Sequence, residues 1–143
     1  MRPIHILLVE DNEGDIVLFK EALQEGGFTC NLGIVRDGEE ALLYLNREGD
    51  YAQEPYPDLI VLDINLPKMN GMELLRELKH NPLHQRIPVI MFTTSSSRQD
   101  ILEAYSNFVN SYIIKPGNLQ AFISVVQFII DYWINIVRLP NNV

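Results

Sequence analysis

Asp63 ends an apolar run, Leu59-Ile60-Val61-Leu62, and Glu10 and Asp11 end another, Ile4 to Val9. Lys115 ends a third, Tyr112-Ile113-Ile114, with Pro116 locking the turn that follows. A carboxylate at the end of a buried strand sits at the rim of a sheet, stripped of part of its water. Groups placed there usually do chemistry or bind metal. Two carboxylates converging on one pocket raise each other's pKa unless a cation lies between them. A hard divalent ion such as Mg²⁺ suits that place, because it takes a few carboxylate oxygens, keeps waters and accepts a phosphate oxygen. Asn65, two residues past Asp63, can turn its backbone carbonyl toward the same ion, and Glu10 can hold a metal-bound water. Lys115 adds an ammonium that pairs with a carboxylate at rest and with a phosphoryl group later. Thr93 offers a hydroxyl at the end of a fourth run, Val89 to Phe92. A carboxylate nucleophile, a divalent ion, an ammonium and a neutral donor stabilise the spread charge of a phosphoryl group in transfer. Aspartyl phosphate is the covalent product of such a nucleophile.

Each residue also has a plainer reading. Asp63 could cap a strand end, and Glu10-Asp11 could be acids at the start of a helix. Lys115 could be a solvated turn lysine, Thr93-Thr94-Ser95-Ser96-Ser97 a polar loop and cap, and Tyr112 ordinary core. His5, His80 and His84 have no metal-ligand spacing and are expected in surface roles. Cys30 is expected to be inert.

The elements that must position these groups are legible in the hydrophobic pattern. Strands are predicted at Ile4–Val9, Leu32–Val35, Leu59–Leu62, Val89–Phe92 and Tyr112–Ile114. Their near-continuous Ile, Val and Leu content marks a parallel sheet buried on both faces. Helices are predicted from about Gly14 to Gln24, from Asp37-Gly38, after Asn70-Gly71, from Arg98 to Tyr105, and from Leu119 to Arg138. Their inward residues include Ile16, Phe19, Ala22 and Leu23 in the first, Ala41, Leu42 and Leu45 in the second, and Met72, Leu75 and Leu78 in the third. Ile101, Leu102 and Tyr105 are expected inward in the fourth. Strand then helix, five times over, predicts a doubly wound α/β sandwich, in which ligands bind at the carboxyl ends of the strands. Glu10, Asp11, Asp63, Thr93 and Lys115 all lie at those ends. Glu48 to Pro57 and Asn81 to Arg86 are expected to be loops, and the five residues after Arg138 are too few to fold.

The chain has 143 residues, 47% of them apolar, which suits one domain with one core. Its formal net charge of −8, from 11 basic and 19 acidic residues, repels nucleic-acid phosphates. It also leaves no basic helix for an anionic membrane. The longest apolar stretch, Ala121 to Val137, is broken by Ser124, Gln127, Asp131 and Asn135 on one helical stripe, so a soluble protein is expected. The lone Cys30 rules out an internal disulfide and fits a reducing cytoplasm, and no secretory signal is visible.

Five segments in register resemble the receiver domain of response regulators. They are Leu7-Leu8-Val9-Glu10-Asp11-Asn12, Val61-Leu62-Asp63-Ile64-Asn65-Leu66-Pro67, Asn70-Gly71, Met91-Phe92-Thr93-Thr94-Ser95 and Tyr112-Ile113-Ile114-Lys115-Pro116. The resemblance implies a flavodoxin-like, five-stranded parallel sheet in the order 2-1-3-4-5 with five helices. It implies Asp63 as phosphoacceptor, Glu10 and Asp11 as the acidic pair around Mg²⁺, and Asn65 as the source of a backbone oxygen for the metal. Thr93 and Lys115 would contact the phosphoryl group, Tyr112 would be the switch aromatic, and Asn65 and Ser95 would tune dephosphorylation. The family often has a cis bond before its proline, which makes Lys115–Pro116 a candidate for one. Looser features, among them His80-Asn81-Pro82, the serine run and Tyr132-Trp133, resemble the small stand-alone receivers paired with bacterial phytochrome-type histidine kinases.

The expected function is therefore that of a stand-alone response regulator, taking a phosphoryl group from a histidine kinase and catalysing only its own phosphorylation and dephosphorylation. With no output domain in its 143 residues, it is expected to pass the signal to a separate protein or through dimerisation. The surplus apolar surface of the last helix (Phe122, Val125, Val126, Ile129, Ile130, Trp133, Ile136) points to a homodimer built on that helix and the fifth strand. Three rivals stand beside this reading. A small phosphatase with an aspartyl nucleophile would want a second acid two residues on, where Asn65 cannot donate a carboxylic proton. A nucleotide-binding module would want glycines where Glu10 to Gly14 stand. An unphosphorylated receiver-like scaffold would need no complete site.

Overall fold

The computed structural model describes residues 2–140. Five parallel strands form one sheet in the order β2-β1-β3-β4-β5. They are β1 (Ile4–Val9), β2 (Cys30–Val35), β3 (Leu59–Leu62), β4 (Val89–Thr93) and β5 (Ser111–Ile114). Helices α1 (Glu13–Gly26), α2 (Gly38–Leu45), α3 (Gly71–Lys79), α4 (Arg98–Ser106) and α5 (Leu119–Asp131) alternate with them. Side-chain alternation along the strands divides the core into two layers. Leu7, Val9, Ile60, Leu62, Val89 and Met91 face α2 and α3. Ile6, Leu8, Leu59, Val61, Ile90 and Phe92 face α1 and α5.

The helix starts follow from local chemistry. Asn12, Asp37, Asn70, Ser97 and Asn118 each accept a hydrogen bond from the backbone N–H three residues on. At Asn70 the Glu73 side chain reaches back to complete a capping box. Gly27, with φ +65°, closes α1 in the left-handed conformation.

The central strands β1, β3 and β4 are buried throughout, as their composition predicts, but the edge strands are not. β2 is half-buried over most of its length, and Ile114 at the end of β5 is exposed, because an edge strand has a neighbour on one side only. α4 buries Ala104 alone, while Leu102 and Tyr105, expected inward, are about half exposed. Its cover over the sheet rests on a small residue rather than on large ones. α5 does not run regularly to Arg138. It passes into a π turn at Tyr132–Ile136 and the chain then extends at Val137. Leu119–Ile136 is long and apolar enough to cross a membrane by length and composition. Phe122, Ile123, Val126, Ile129 and Ile130 instead pack on the sheet as core.

Two sequence expectations fail in instructive ways. His5 and His84 are buried rather than superficial. His5 lies 2.6 Å from the Tyr44 hydroxyl through Nε2 and stacks on that ring. His84 contacts the Tyr56 hydroxyl through Nδ1 and Asn46 Oδ1 through Nε2. Each imidazole is accepted in the interior because a phenol meets one of its nitrogens, and burial lowers both pKa values. His80 is exposed as expected. The short tail is not wholly idle either: Leu139 is buried in the layer under α1 and α5, while residues 141–143 lie outside the described residues.

Candidate functional site

Parallel pairing carries three of the predicted site residues to one end of the sheet. The backbone ladder continues past the strands: Glu10 N–H donates to Val35 O at 3.0 Å, Asp63 N–H to Val9 O at 3.1 Å, and Lys115 N–H to Thr93 O at 2.7 Å. Glu10 and Asp63 therefore stand side by side, and Lys115 stands beside Thr93. All four are buried, at 3%, 8%, 8% and 0% exposure respectively. Burial of so much polar chemistry is tolerable only if it is paired.

Lys115 does the pairing. Its Nζ donates to Glu10 Oε1 at 2.5 Å, to Asp15 Oδ2 at 2.7 Å and to Asp63 Oδ2 at 2.9 Å. It also lies 6.0 Å from the centroid of the Phe92 ring. Asp63 Oδ1 accepts from the N–H of Ile64 at 2.7 Å, so both oxygens of that carboxylate are held. Burial alone would lower the Lys115 pKa, but its bonds to Asp15, Glu10 and Asp63 win and raise it above the ordinary lysine range. Glu10 goes the other way. Burial first, and then the charge of Asp63, push it up from 4.5 to about 7 against the lowering effect of Lys115. Two buried acids with a third at the rim carry more negative charge than one lysine balances.

The remaining predicted residues are less closely engaged. Asp11 is exposed and makes no ion pair with Lys115. Among the described residues no group of three acidic, histidine or cysteine side chains is gathered as a metal cluster, since the ammonium holds the middle of the acids. Asn65 is exposed beside Asp63. The Thr93 hydroxyl accepts a long bond, 3.4 Å, from Ser95 N–H. The Ser95 hydroxyl is engaged by Asp100 Oδ2 at 2.6 Å. Tyr112 is half-buried. Its hydroxyl donates to Ser95 O at 2.8 Å and its N–H to the Tyr105 hydroxyl at 3.2 Å, so it is tethered to the loop that follows Thr93 and to α4. The Lys115–Pro116 bond is trans, not cis. An X–Pro bond prefers trans intrinsically, and with a trans bond Lys115 already reaches all three carboxylates.

Two contributors escaped the sequence reading. Asp15 is one; its signal was the spacing of four residues from Asp11 in the first turn of a helix that starts at the strand ends. The second is a steric role for Gly71, which the sequence shows only as part of a helix start. A Cβ there would lie 1.9 Å from Asp63 O, 2.8 Å from Asp63 C and 2.9 Å from Ile64 Cα, all backbone atoms. Gly71 N–H also donates to Ile64 O at 2.9 Å. The start of α3 thus presses on the residue carrying the central carboxylate. Gly71→Ala is expected to cost at least about 3 kcal/mol in urea unfolding, at the upper end for overpacking because backbone cannot yield as a side chain does. A loss under about 1 kcal/mol would mean that the contact relaxes freely.

The donor set fits a hard divalent cation. The ligands on offer are carboxylate oxygens, and Glu10 and Asp63, both buried and bonded to the same ammonium, bring two acids to one point at the end of the sheet. Glu10 and Asp63 would hold it, with Asp11 and the Asn65 carbonyl at the rim.

Comparison with known proteins gives the family. The family described as the response regulator receiver domain matches residues 6–127. Response regulator Rcp1 of Synechocystis sp. is 43% identical over 138 residues, 96% of this chain and 94% of its own length. The crystal structure of the phosphorylated cyanobacterial phytochrome response regulator RcpA superposes with a TM-score of 0.93 at 44% identity, covering 97% of this chain and 99% of that one. The Mn²⁺-bound form of Rcp1 gives 0.92 at 43% identity, covering 96% and 99%. The chain belongs to the response-regulator receiver family and works in two-component signalling.

Proposed function

We propose that this chain is a phosphoacceptor response regulator in which Asp63 takes a phosphoryl group from a sensor histidine kinase. The observation that carries this reading is Lys115 bonded at once to Glu10 and Asp63 at the end of the sheet. In the transfer, one Asp63 oxygen attacks phosphorus in line. The P–N bond of the donor phosphohistidine breaks and its electron pair stays on the imidazole nitrogen. Lys115 then moves from the esterified oxygen, which has lost its charge, to a phosphoryl oxygen, and Thr93 donates to another. Glu10, Asp11, Asp63 and the Asn65 carbonyl would hold Mg²⁺, which would supply neutralising charge for those oxygens. The only catalysis in this reading is the chain's own phosphorylation and dephosphorylation, with Asn65 and Ser95 tuning the latter. Similarity to RcpA favours a phytochrome-type kinase, and in this reading the chain works in the cytoplasm, which its lone cysteine fits.

The switch follows from the tether. Drawing Thr93 toward the phosphoryl group pulls on the loop whose Ser95 carbonyl holds the Tyr112 hydroxyl. Release of that bond lets Tyr112 turn and changes the surface of α4, β5 and α5. A homodimer is part of the same proposal. Phe128, Tyr132 and Ile136 are exposed on the last helix, and a cavity lined by Ile113, Phe128, Ile129, Tyr132 and Trp133 opens between it and the β5 edge. Light scattering is expected to give twice the monomer mass at micromolar concentration; a monomer mass throughout would remove the dimer.

The test of the main reading is labelling with acetyl phosphate, followed by intact-protein mass spectrometry and peptide mapping. One phosphoryl group per chain is expected on the peptide containing Asp63 when Mg²⁺ is present, and none in excess EDTA. A label elsewhere, or one indifferent to EDTA, would reject the reading.

A further inference from the structure

An ammonium has three N–H donors, and in Lys115 all three are in use. Two go to carboxylates deep in the site, and the third goes to Asp15. That residue lies in the first turn of α1, where Asn12 Oδ1 accepts from its N–H at 3.0 Å. The cap fixes the helix start and leaves the Asp15 carboxylate leaning over the strand ends. Its side chain is 24% exposed, against 4% for Glu10 and 10% for Asp63. Asp15 is thus the most solvated of the three partners and the one that water can most easily replace. Before the donor's P–N bond breaks, Asp63 still carries its charge and keeps its N–H, so an incoming phosphoryl oxygen that needs Lys115 must displace one of the three carboxylates, and the most exposed of them yields first.

We propose that Asp15 is a positioning residue that holds Lys115 in reserve, competing with the phosphoryl group for the ammonium while adding negative charge that draws in the divalent cation. Metal affinity and phosphoryl uptake are then set against each other by one side chain. The inference rests on Asp63 being the phosphoacceptor. It differs from a purely structural role, in which Asp15 would do no more than strap α1 to the β5–α5 turn.

The experiment compares the full-length wild type with Asp15→Asn, Asp15→Ser and the charge-conserving Asp15→Glu. MgCl₂ alone is titrated calorimetrically. Phosphoryl uptake from acetyl phosphate at saturating Mg²⁺ is timed by intact-protein mass spectrometry. For both neutral variants the metal dissociation constant is expected to rise about tenfold, the effect of one unit charge in a partly solvated site. Their uptake rate at saturating Mg²⁺ is expected to rise severalfold, and Asp15→Glu is expected to stay near the wild type in both. No change in either quantity would overturn the proposal, and so would a fall in affinity and uptake together, which is what loss of a mere strap gives. Asp63→Asn run alongside separates the two readings. If Asp63 is required for labelling and the neutral variants behave as wild type, this inference alone falls; if Asp63→Asn labels normally, the phosphoacceptor reading falls with it.

Discussion

Asp63→Asn is expected to leave the chain folded and unable to take up phosphorus, with labelling by acetyl phosphate in Mg²⁺ at least about a thousandfold below the wild type, the scale of losing a covalent nucleophile. The amide has the carboxylate's shape but neither its charge nor a nucleophilic oxygen to offer. Its placement is awkward. In the wild type Oδ1 accepts from Ile64 N–H and Oδ2 from Lys115 Nζ, so both positions face donors. An amide must turn its NH₂ toward one of them, which costs a buried hydrogen bond of about 1–3 kcal/mol. A gain offsets part of that cost, because the Asp63 charge is one of the causes that push Glu10 up toward 7. Without it Glu10 ionises more readily, and Lys115 keeps both Glu10 and Asp15. The expected stability change is therefore small, within about 1–2 kcal/mol, and the loss of labelling cannot be assigned to unfolding. Labelling of Asp63→Asn at the wild-type rate would reject Asp63 as acceptor.

The central strands and most of the site were legible in the sequence because both depend on local patterns. Five apolar runs that read as parallel strands place the residues following them at one end of the sheet. Glu10, Asp63 and Lys115 each follow such a run, so the pattern alone brings them together. What could not be read depends on packing between distant segments. His5 lies within a run whose pattern already marks it as buried, against the surface role expected of it, whereas nothing local marks His84 as interior; the tyrosines that meet both rings come from other parts of the chain. Nothing local says that α4 would lean on Ala104 while leaving Leu102 and Tyr105 half exposed. By sequence Asp15 is one more acid in a first helical turn, a common place for acids on grounds of the helix dipole alone. Only the fold reveals that α1 begins within reach of the lysine that follows β5, a hundred residues later.

Lys115→Met tests how much of the site's stability one cation supplies, and the answer depends on pH. Among the described residues Lys115 is the only cation bonded to Glu10, Asp15 and Asp63. Removing one member of a buried charge set is far more costly than the set is stabilising, about 3–5 kcal/mol, because the acids are left uncompensated. The sign of the pH dependence follows from the shifts. Lys115 has a raised pKa in the folded state, so its stabilisation is present at every pH below the ordinary lysine value of 10.5. Glu10 is an acid whose folded pKa lies near 7 rather than 4.5. Between those values the folded state keeps a proton that the unfolded chain releases, so this contribution is largest at low pH and is lost as pH rises through about 7. Without Lys115 only the Asn12 N–H still holds Glu10 down, so its pKa climbs further and the same falling slope extends to higher pH. Urea unfolding in EDTA is expected to show a loss of about 3–5 kcal/mol at pH 8 and clearly less at pH 5, where protonation takes over the neutralising role of the ammonium. Millimolar Mg²⁺ at pH 8 is expected to restore part of the loss, since a divalent ion at Glu10 and Asp63 offsets the same charge. A loss that is equal at both pH values and indifferent to Mg²⁺ would mean that Lys115 acts through its aliphatic packing and not through its charge.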